Sequence, residues 1–271
     1  MEQHLPGVYV ARKKDNSIYY RASLTWKQKH ISLGSYSDAR QAHQAYLEAC
    51  NLLHEPTIHI MDFEKMQPKL SFEKWVCLIN LRDNGIYLHN PIYIRPKMFY
   101  YYYSPIEVYK FDVEDLFFYS SHKLMKRGSH LFVSEYGMQT NIASRYGIKN
   151  NAVCGKDYEF INGDPTDYRY SNIRIKNQYH GVSYVSYRGK MQYRCRIHLR
   201  GYFIVGYYDS AETAAIAYNK AIDLLKAKGC KKSYTINRLD GIGPAEYADR
   251  YHQIKISGKI MKLNPADYFK E

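Results

Sequence analysis

The chain repeats itself. Residues 7–53 read GVYVARKKDNSIYYRASLTWKQKHISLGSYSDARQAHQAYLEACNLL, and residues 181–225 read GVSYVSYRGKMQYRCRIHLRGYFIVGYYDSAETAAIAYNKAIDLL. The two align through G-V-x, Y-R-x-x, G-x-Y-x-x-A and the Ala-Tyr pairs Ala45-Tyr46 and Ala217-Tyr218, ending in Leu-Leu. Single-residue length differences fall at turn-like places, the first among Asp15-Asn16-Ser17 and Arg188-Gly189-Lys190. A repeat of this length makes each copy one supersecondary unit, so both must take the same fold.

Each copy opens with short β-prone segments broken by Asp, Asn, Gly and Lys, which predicts a three-stranded meander. An Ala-rich helix follows. Ser37 is the expected N-cap in the first copy, with Ala39, Ala42, Tyr46, Ala49 and Leu53 at helical spacing. In the second copy Asp209 or Ser210 caps, and the stripe is Ala211, Ala214, Ala215, Tyr218, Ala221 and Leu225. Period-2 alternation in YRCRIHL turns Cys195 and Ile197 toward the helix and Arg194, Arg196 and His198 outward. The same alternation in the first copy turns Ala22 and Leu24 inward and Arg21, Ser23 and Thr25 outward.

These motifs (G-V, the strand-two Y-R-x-x, the G-x-Y turn and the A-x-x-A-Y helix) resemble the AP2 DNA-binding domain. The resemblance implies a sheet laid in the major groove of double-stranded DNA. Its positions imply Tyr9, Lys13, Arg21, Ser23 and Thr25 as contacts in the first copy. In the second they imply Ser183, Tyr187, Arg188, Arg194 and Arg196, with His198 on the same face. Lys27, Lys29 and Lys190 are expected at phosphates, and the arginine forks suit guanine O6 and N7. Ser23 and Thr25 depart from the basic pattern of the family.

A second motif precedes the second copy. DYEFINGDPTDYRYSNIRI (157–175) resembles the tail of the HNH homing-endonuclease motif. The resemblance places a metal ligand at Glu159, the general base at Phe160, the residue orienting that base at Tyr168 and the last ligand at Asn172. A phenyl ring accepts no proton, and losing a general base costs ~10²–10⁴ in rate. His130 and His180 lie away from motif spacing. The expectation is therefore a degenerate site with no catalytic residue, no metal and no cofactor. Mg²⁺ or Mn²⁺ enters only in the alternative of an active endonuclease.

The expected class is α+β: two small sheet-plus-helix, AP2-like modules flanking a mixed α/β, HNH-like (ββα) middle. The boundaries read are 1–55, 56–180 (HNH-like from about 112), 181–228 and a C-terminal extension, 229–271. Helical spacing at Phe72, Trp75, Val76 and Ile79 predicts a helix ending at Gly85, and IYLHNPIYIRPKMFYYYY predicts strands broken at Asn90-Pro91 and Arg95-Pro96. Residues 226–241 read as loop and strand, and a helix is expected from Pro244. Tyr100 to Tyr103 read as half-buried strand residues on alternate faces, or as a base-stacking surface.

Lys and Arg number 39 against 26 Asp and Glu, a net +13 that suits a polyanion, since each neutralised phosphate releases a counterion. Five dispersed cysteines without a C-x-x-C pair argue against a zinc ribbon and a disulfide framework. No apolar signal core or membrane-length run is present, so a cytosolic, nucleoid-associated protein with reduced thiols is expected. The leading expectation is a sequence-specific double-stranded DNA-binding transcriptional regulator derived from an HNH–AP2 homing endonuclease. The alternatives are an active metal-dependent endonuclease and a non-catalytic architectural or recombination-accessory protein. Oligomeric state is not readable.

Overall fold

In the computed structural model, which describes residues 5–149 and 152–264, the first repeat forms strands β1 (Val8–Arg12), β2 (Ile18–Trp26) and β3 (Lys29–Tyr36). They pair antiparallel in the order β1-β2-β3. Ala22, Leu24, Ile31 and Leu33 are buried on one face against helix α1 (Ala39–His54), which turns Ala42, Ala45, Ala49, Leu52 and Leu53 inward. The helix starts one residue later than expected. Asp38 rather than Ser37 is the N-cap, its carboxylate accepting from the Arg40 N–H at 3.1 Å.

The mean architecture is α+β, with several small antiparallel sheets. The chain divides into two compact units: Met1–Tyr146 with Asp164–Asn172, and Gly147–Gly163 with Ile173–Glu271. The boundaries read at 55 and 180 do not coincide with this division. One reason lies in the first unit. After a single turn, α2 (Phe63–Met66), comes α3 (Phe72–Asn84), capped by Ser71 and ended at Gly85. Trp75, Val76, Cys77, Leu78 and Ile79 of α3 join the core of the first repeat. Arg82 Nη1 also donates to the carbonyls of Leu52, Glu55 and Ile58, at 2.7–3.2 Å, satisfying the open end of α1. The first repeat thus packs with the segment that follows it.

The rest of the first unit is built on tyrosine and phenylalanine. Strands β4 (Ile92–Ile94), β5 (Met98–Tyr102) and β6 (Val108–Asp112) form an antiparallel sheet, followed by the short helix α4 (Leu116–Ser121). Tyr101 is buried, Tyr100 and Tyr102 are half-buried and Tyr103 is exposed, so the tyrosine run shows alternate faces of a strand. Phe111 stacks on Tyr119 at 4.1 Å, with Phe99 and Tyr146 adjoining. Their hydroxyls are paired: Tyr146 donates to the buried Asp115 carboxylate at 2.8 Å, which also pairs with Arg145 at 2.7 Å. A third sheet contains β7 (Met125–Arg127), β8 (His130–Glu135) and β9 (Met138–Asn141).

In the second unit a two-stranded hairpin, β10 (Tyr158–Phe160) and β11 (Ile173–Ile175), precedes the second repeat. That repeat forms β12 (Val182–Tyr187), β13 (Lys190–His198) and β14 (Tyr202–Tyr208), covered by α5 (Ala211–Ala227) with Ser210 as N-cap. Cys195, Ile197 and Val205 meet Ala214, Ala217, Ala221 and Leu225 in its core. The strand expected within 226–241 does not form. Residues 230–240 run irregularly, held where the Asn219 amide exchanges hydrogen bonds with the Asn237 backbone at 2.8 and 2.9 Å. Helix α6 (Pro244–Gln253) has its last carbonyls bound by Lys220, and Ile260 of α7 (Gly258–Lys262) is buried in the same core.

The two repeats agree at single atoms. Gly7 and Gly181 have φ of 75° and 73°, which an L side chain adopts at a cost of ~1–2 kcal/mol. A Cβ at Gly7 would lie 2.1 Å from the Tyr46 ring, and one at Gly181 2.4 Å from the Tyr218 ring. The carbonyls of these glycines accept from Ser23 N (3.0 Å) and Arg196 N (2.7 Å). Each acceptance sits beside a register shift between the central strand and the third strand, at Ala22/Ser23, where β3 carries the extra residue, and at Cys195/Arg196, where β14 does.

Gly181→Ala is therefore expected to cost on the order of 2–5 kcal/mol, backbone strain plus overpacking against Tyr218. Gly189→Ala, at φ 77° in open space, is expected to cost only ~1–2 kcal/mol. Urea denaturation of both variants checks the difference; equal costs would show that the close approach of the Tyr218 ring and the Arg196 carbonyl to Gly181 is unimportant.

Candidate functional site

The outward face of the second repeat is assembled from all three strands. Residues directly opposite in an antiparallel pair point to the same side. Arg194 lies between Ser183 of β12 and Tyr207 of β14, and His198 lies opposite Tyr202. Lys190 faces Tyr187, and Arg196 faces Ile204 across the bulge. Ser183, Tyr187, Lys190, Arg194, Arg196 and His198 therefore share one surface, while Arg188 occupies the turn between β12 and β13.

Aromatic rings organise the cations on this face. Tyr187 and Tyr207 stack at 3.7 Å and 8°, with the Arg188 guanidinium 5.2 Å from the Tyr187 centroid. Arg196 lies over Tyr202 at 4.5 Å, and His198 meets the same ring edge-on at 4.9 Å. Lys232 reaches His198 Nδ1 at 3.1 Å. Such cation–π contacts are worth only ~0.5–1 kcal/mol when exposed, so they hold the arginines in place without fixing them. Among the described residues, Arg194 Nε is buried without a hydrogen-bond partner. Tyr202 and Tyr207 were missed in the sequence. Their signal was the alternation of β14, shifted by one residue at the bulge.

The first repeat presents a different face. Tyr9, Arg21 and Thr25 point outward with Ser32, Ser35 and His30, and Lys13 continues that side of β1. Arg21 donates to the Tyr19 hydroxyl at 2.9 Å. Two expected contacts are set apart from this face. Ser23 pairs with exposed Ser32, yet its short side chain on the central strand is only 6% exposed and does not stand out from the sheet. Lys29 pairs with Trp26, which packs on the core, so it faces the helix side, its ammonium 5.0 Å from the Tyr87 ring. Lys27 is exposed in the turn before it.

The HNH-like positions fall in both units. Glu159 and Phe160 lie in the second, Tyr168 and Asn172 in the first. Glu159 is paired with Lys176 at 2.5 Å and Arg174 at 3.2 Å, and the Lys176 bond chiefly holds its carboxyl below the usual carboxylate range. Two cations already engage the Glu159 carboxylate. Phe160 sits in β10, its ring 5.7 Å from Tyr158. Tyr168 is buried among Tyr109, Phe111 and Tyr146, and Asn172 donates to the Asp167 carbonyl at 2.9 Å. The expected ββα frame is incomplete. The two strands form, but no helix follows them, because Asn177 bonds to Asp157 and the Tyr184 N–H in a turn that leads directly into β12.

The other letters of this motif are structural. The segment Asp164–Tyr168 lies along β6 through Lys110 N–H to Thr166 and Tyr168 N–H to the Lys110 carbonyl, at 2.9 and 2.8 Å. Asp164 pairs with Lys110 at 2.7 Å, and buried Asp167 holds the Arg169 fork at 2.6 and 2.8 Å. His130 is exposed in β8 of the first unit; His180 lies in the second, its pKa lowered by burial and by Lys149. Among the described residues no group of three or more His, Cys, Asp or Glu is placed to hold a metal ion, and no helix is long and apolar enough to cross a membrane.

Partial burial alone would raise the Asp164 pKa, but Lys110 and the Thr166 donors outweigh it and bring it from 3.8 to about 2. A depressed carboxylate stabilises fully above its unfolded value and loses that contribution as pH falls through the folded one. Asp164→Asn is thus expected to be less stable than wild type at neutral pH, with the gap closing between about pH 4 and pH 2. Denaturant midpoints across that range check it, and a gap independent of pH would contradict it.

No family model, no curated protein and no solved structure matches this chain.

Proposed function

We propose that this protein binds double-stranded DNA sequence-specifically as a transcriptional regulator, its ancestry that of an HNH–AP2 homing endonuclease. The carrying observation is the outward face of β12–β14, where Arg188, Lys190, Arg194 and Arg196 are set among stacked tyrosines. A major groove ≈12 Å wide admits a β-ribbon, and an arginine fork reaches guanine O6 and N7 together. Arg194 and Arg196, central in the sheet, are the base readers. Lys190 and Arg188, at the turn, are the phosphate contacts that set register.

The first face, with Tyr9, Lys13, Arg21, Thr25 and Lys27, serves as a second and less discriminating contact. Hydroxyl groups at the positions of Arg196 and His198 carry fewer base-specific donors. Two contacts on one chain strengthen binding through effective concentration. Cutting is not part of the proposal. Phe160 supplies no proton acceptor, and the carboxylate of Glu159 is already engaged by Lys176 and Arg174.

Selection from random duplexes is expected to enrich one motif, whereas binding without enrichment would favour an architectural role. On the enriched site, Arg194→Ala or Arg196→Ala should each cost ~1–3 kcal/mol and relax preference at particular bases. A uniform loss on every sequence would make them phosphate contacts. Plasmid incubated with Mg²⁺ or Mn²⁺ should remain uncut, and metal-dependent cleavage abolished by Glu159→Gln would overturn the non-catalytic reading.

A further inference from the structure

Three hairpins close with two-residue turns whose central residues both have positive φ. They are Lys27-Gln28 (44° and 65°), Arg188-Gly189 (51° and 77°) and Tyr136-Gly137 (48° and 78°). Such turns strongly prefer Asn-Gly or Asp-Gly. A bulky residue at the first position is a conformational outlier. Two of these turns carry a cation already assigned to the DNA-binding faces. The third carries a tyrosine that no such assignment covers.

Nothing in the fold accounts for Tyr136. Its side chain is 96% exposed, so the ring stabilises no core, and Met138 beside it is 69% exposed. An aromatic and a thioether thus stand in solvent at the tip of a strained hairpin. At the other end of β8, Arg127 and His130 are paired across the strands and both exposed. At 3.3 Å per residue they lie roughly 20 Å from the tip, about six nucleotides of a DNA strand. Glu135 is the one carboxylate in residues 125–141.

We infer that Tyr136 is a base-stacking wedge: the tip of the β8–β9 hairpin enters a base step of duplex DNA while Arg127 and His130 hold the backbone farther along. This inference rests on the DNA-binding reading and adds a third point of contact to it. Inserted side chains unstack a step, and stacking of the freed base on the ring, together with the wider protein contact that the kink allows, more than offsets that cost. Flexible TA and CA steps are the ones such a wedge would choose. A tyrosine fits because its face stacks while its hydroxyl stays hydrated.

The test uses the full chain, a mixed-sequence duplex with 2-aminopurine at scattered positions, and the variants Tyr136→Asn and Tyr136→Phe. Asn relieves the turn, so Tyr136→Asn should raise the denaturation midpoint while weakening binding roughly 5- to 150-fold. Wild type and Tyr136→Phe should increase 2-aminopurine fluorescence on binding, and Tyr136→Asn should not. A Tyr136→Asn protein that binds and unstacks like wild type overturns the wedge. So does one that loses binding together with stability, since that marks Tyr136 as structural. If either occurs while Arg194→Ala still weakens binding, only the wedge falls. If wild type binds no duplex, the DNA-binding reading and the wedge fall together.

Discussion

A glycine under a tyrosine ring, with its carbonyl hooked to the central strand, is the contact on which each sheet depends. At Gly181 the ring of Tyr218 leaves no room for a Cβ, and the glycine carbonyl takes the Arg196 N–H. That hook secures the bulge between Cys195 and Arg196, where one strand gains a residue on its neighbour. A bulge re-aims side chains, and a one-residue slip would exchange the core and outward faces. Arg194 and Arg196 stand on one side, and Cys195 and Ile197 on the other, only while this register holds. Gly7, Tyr46 and Ser23 reproduce the arrangement in the first repeat. The repeat therefore conserves a way of orienting side chains, while the side chains themselves differ between the copies.

The stretch from Asp157 to Ile175 acquires a different meaning from its packing. Its polar letters are held to the protein: Asp164 to Lys110, Asp167 to Arg169, Asn172 to a backbone carbonyl, Glu159 to Lys176. Tyr168 fills an aromatic core with Phe111 and Tyr146. Buried charges persist when paired and hydrogen-bonded, as Asp167 is. The polar letters of the stretch are thus accounted for as architecture, and Phe160 sits among them beside the Tyr158 ring.

Much of the fold was legible because alternation and capping are local. The strands and helix of both repeats, the helix ended by Gly85 and the Pro244 helix all follow from period, cap and breaker residues. The alternate faces of Tyr100 to Tyr103 follow from the strand period alone. What escaped depended on neighbours distant in sequence. Lys29 reaches the ring of Tyr87 while staying exposed, and Ser23 is covered because it is short and central. Tyr207 joins Arg194 through a bulge that no single strand announces. The division into units turns on Arg82 and Trp75 packing against the first repeat, and the missing helix after β11 turns on Asn177 bonding to Asp157. Tyr136 was invisible for another reason: a tyrosine before a glycine stands out only once its φ is known.

The central claim, that the outward sheet faces hold duplex DNA, is tested most directly by the salt dependence of binding. The full chain should bind a mixed-sequence duplex with log K falling linearly in log salt. The five exposed cations of those faces, Lys13, Arg21, Lys27, Arg188 and Lys190, predict a slope of about −4 to −5, at roughly −0.9 per phosphate. Absence of binding at low salt, or an affinity indifferent to salt, would contradict the account.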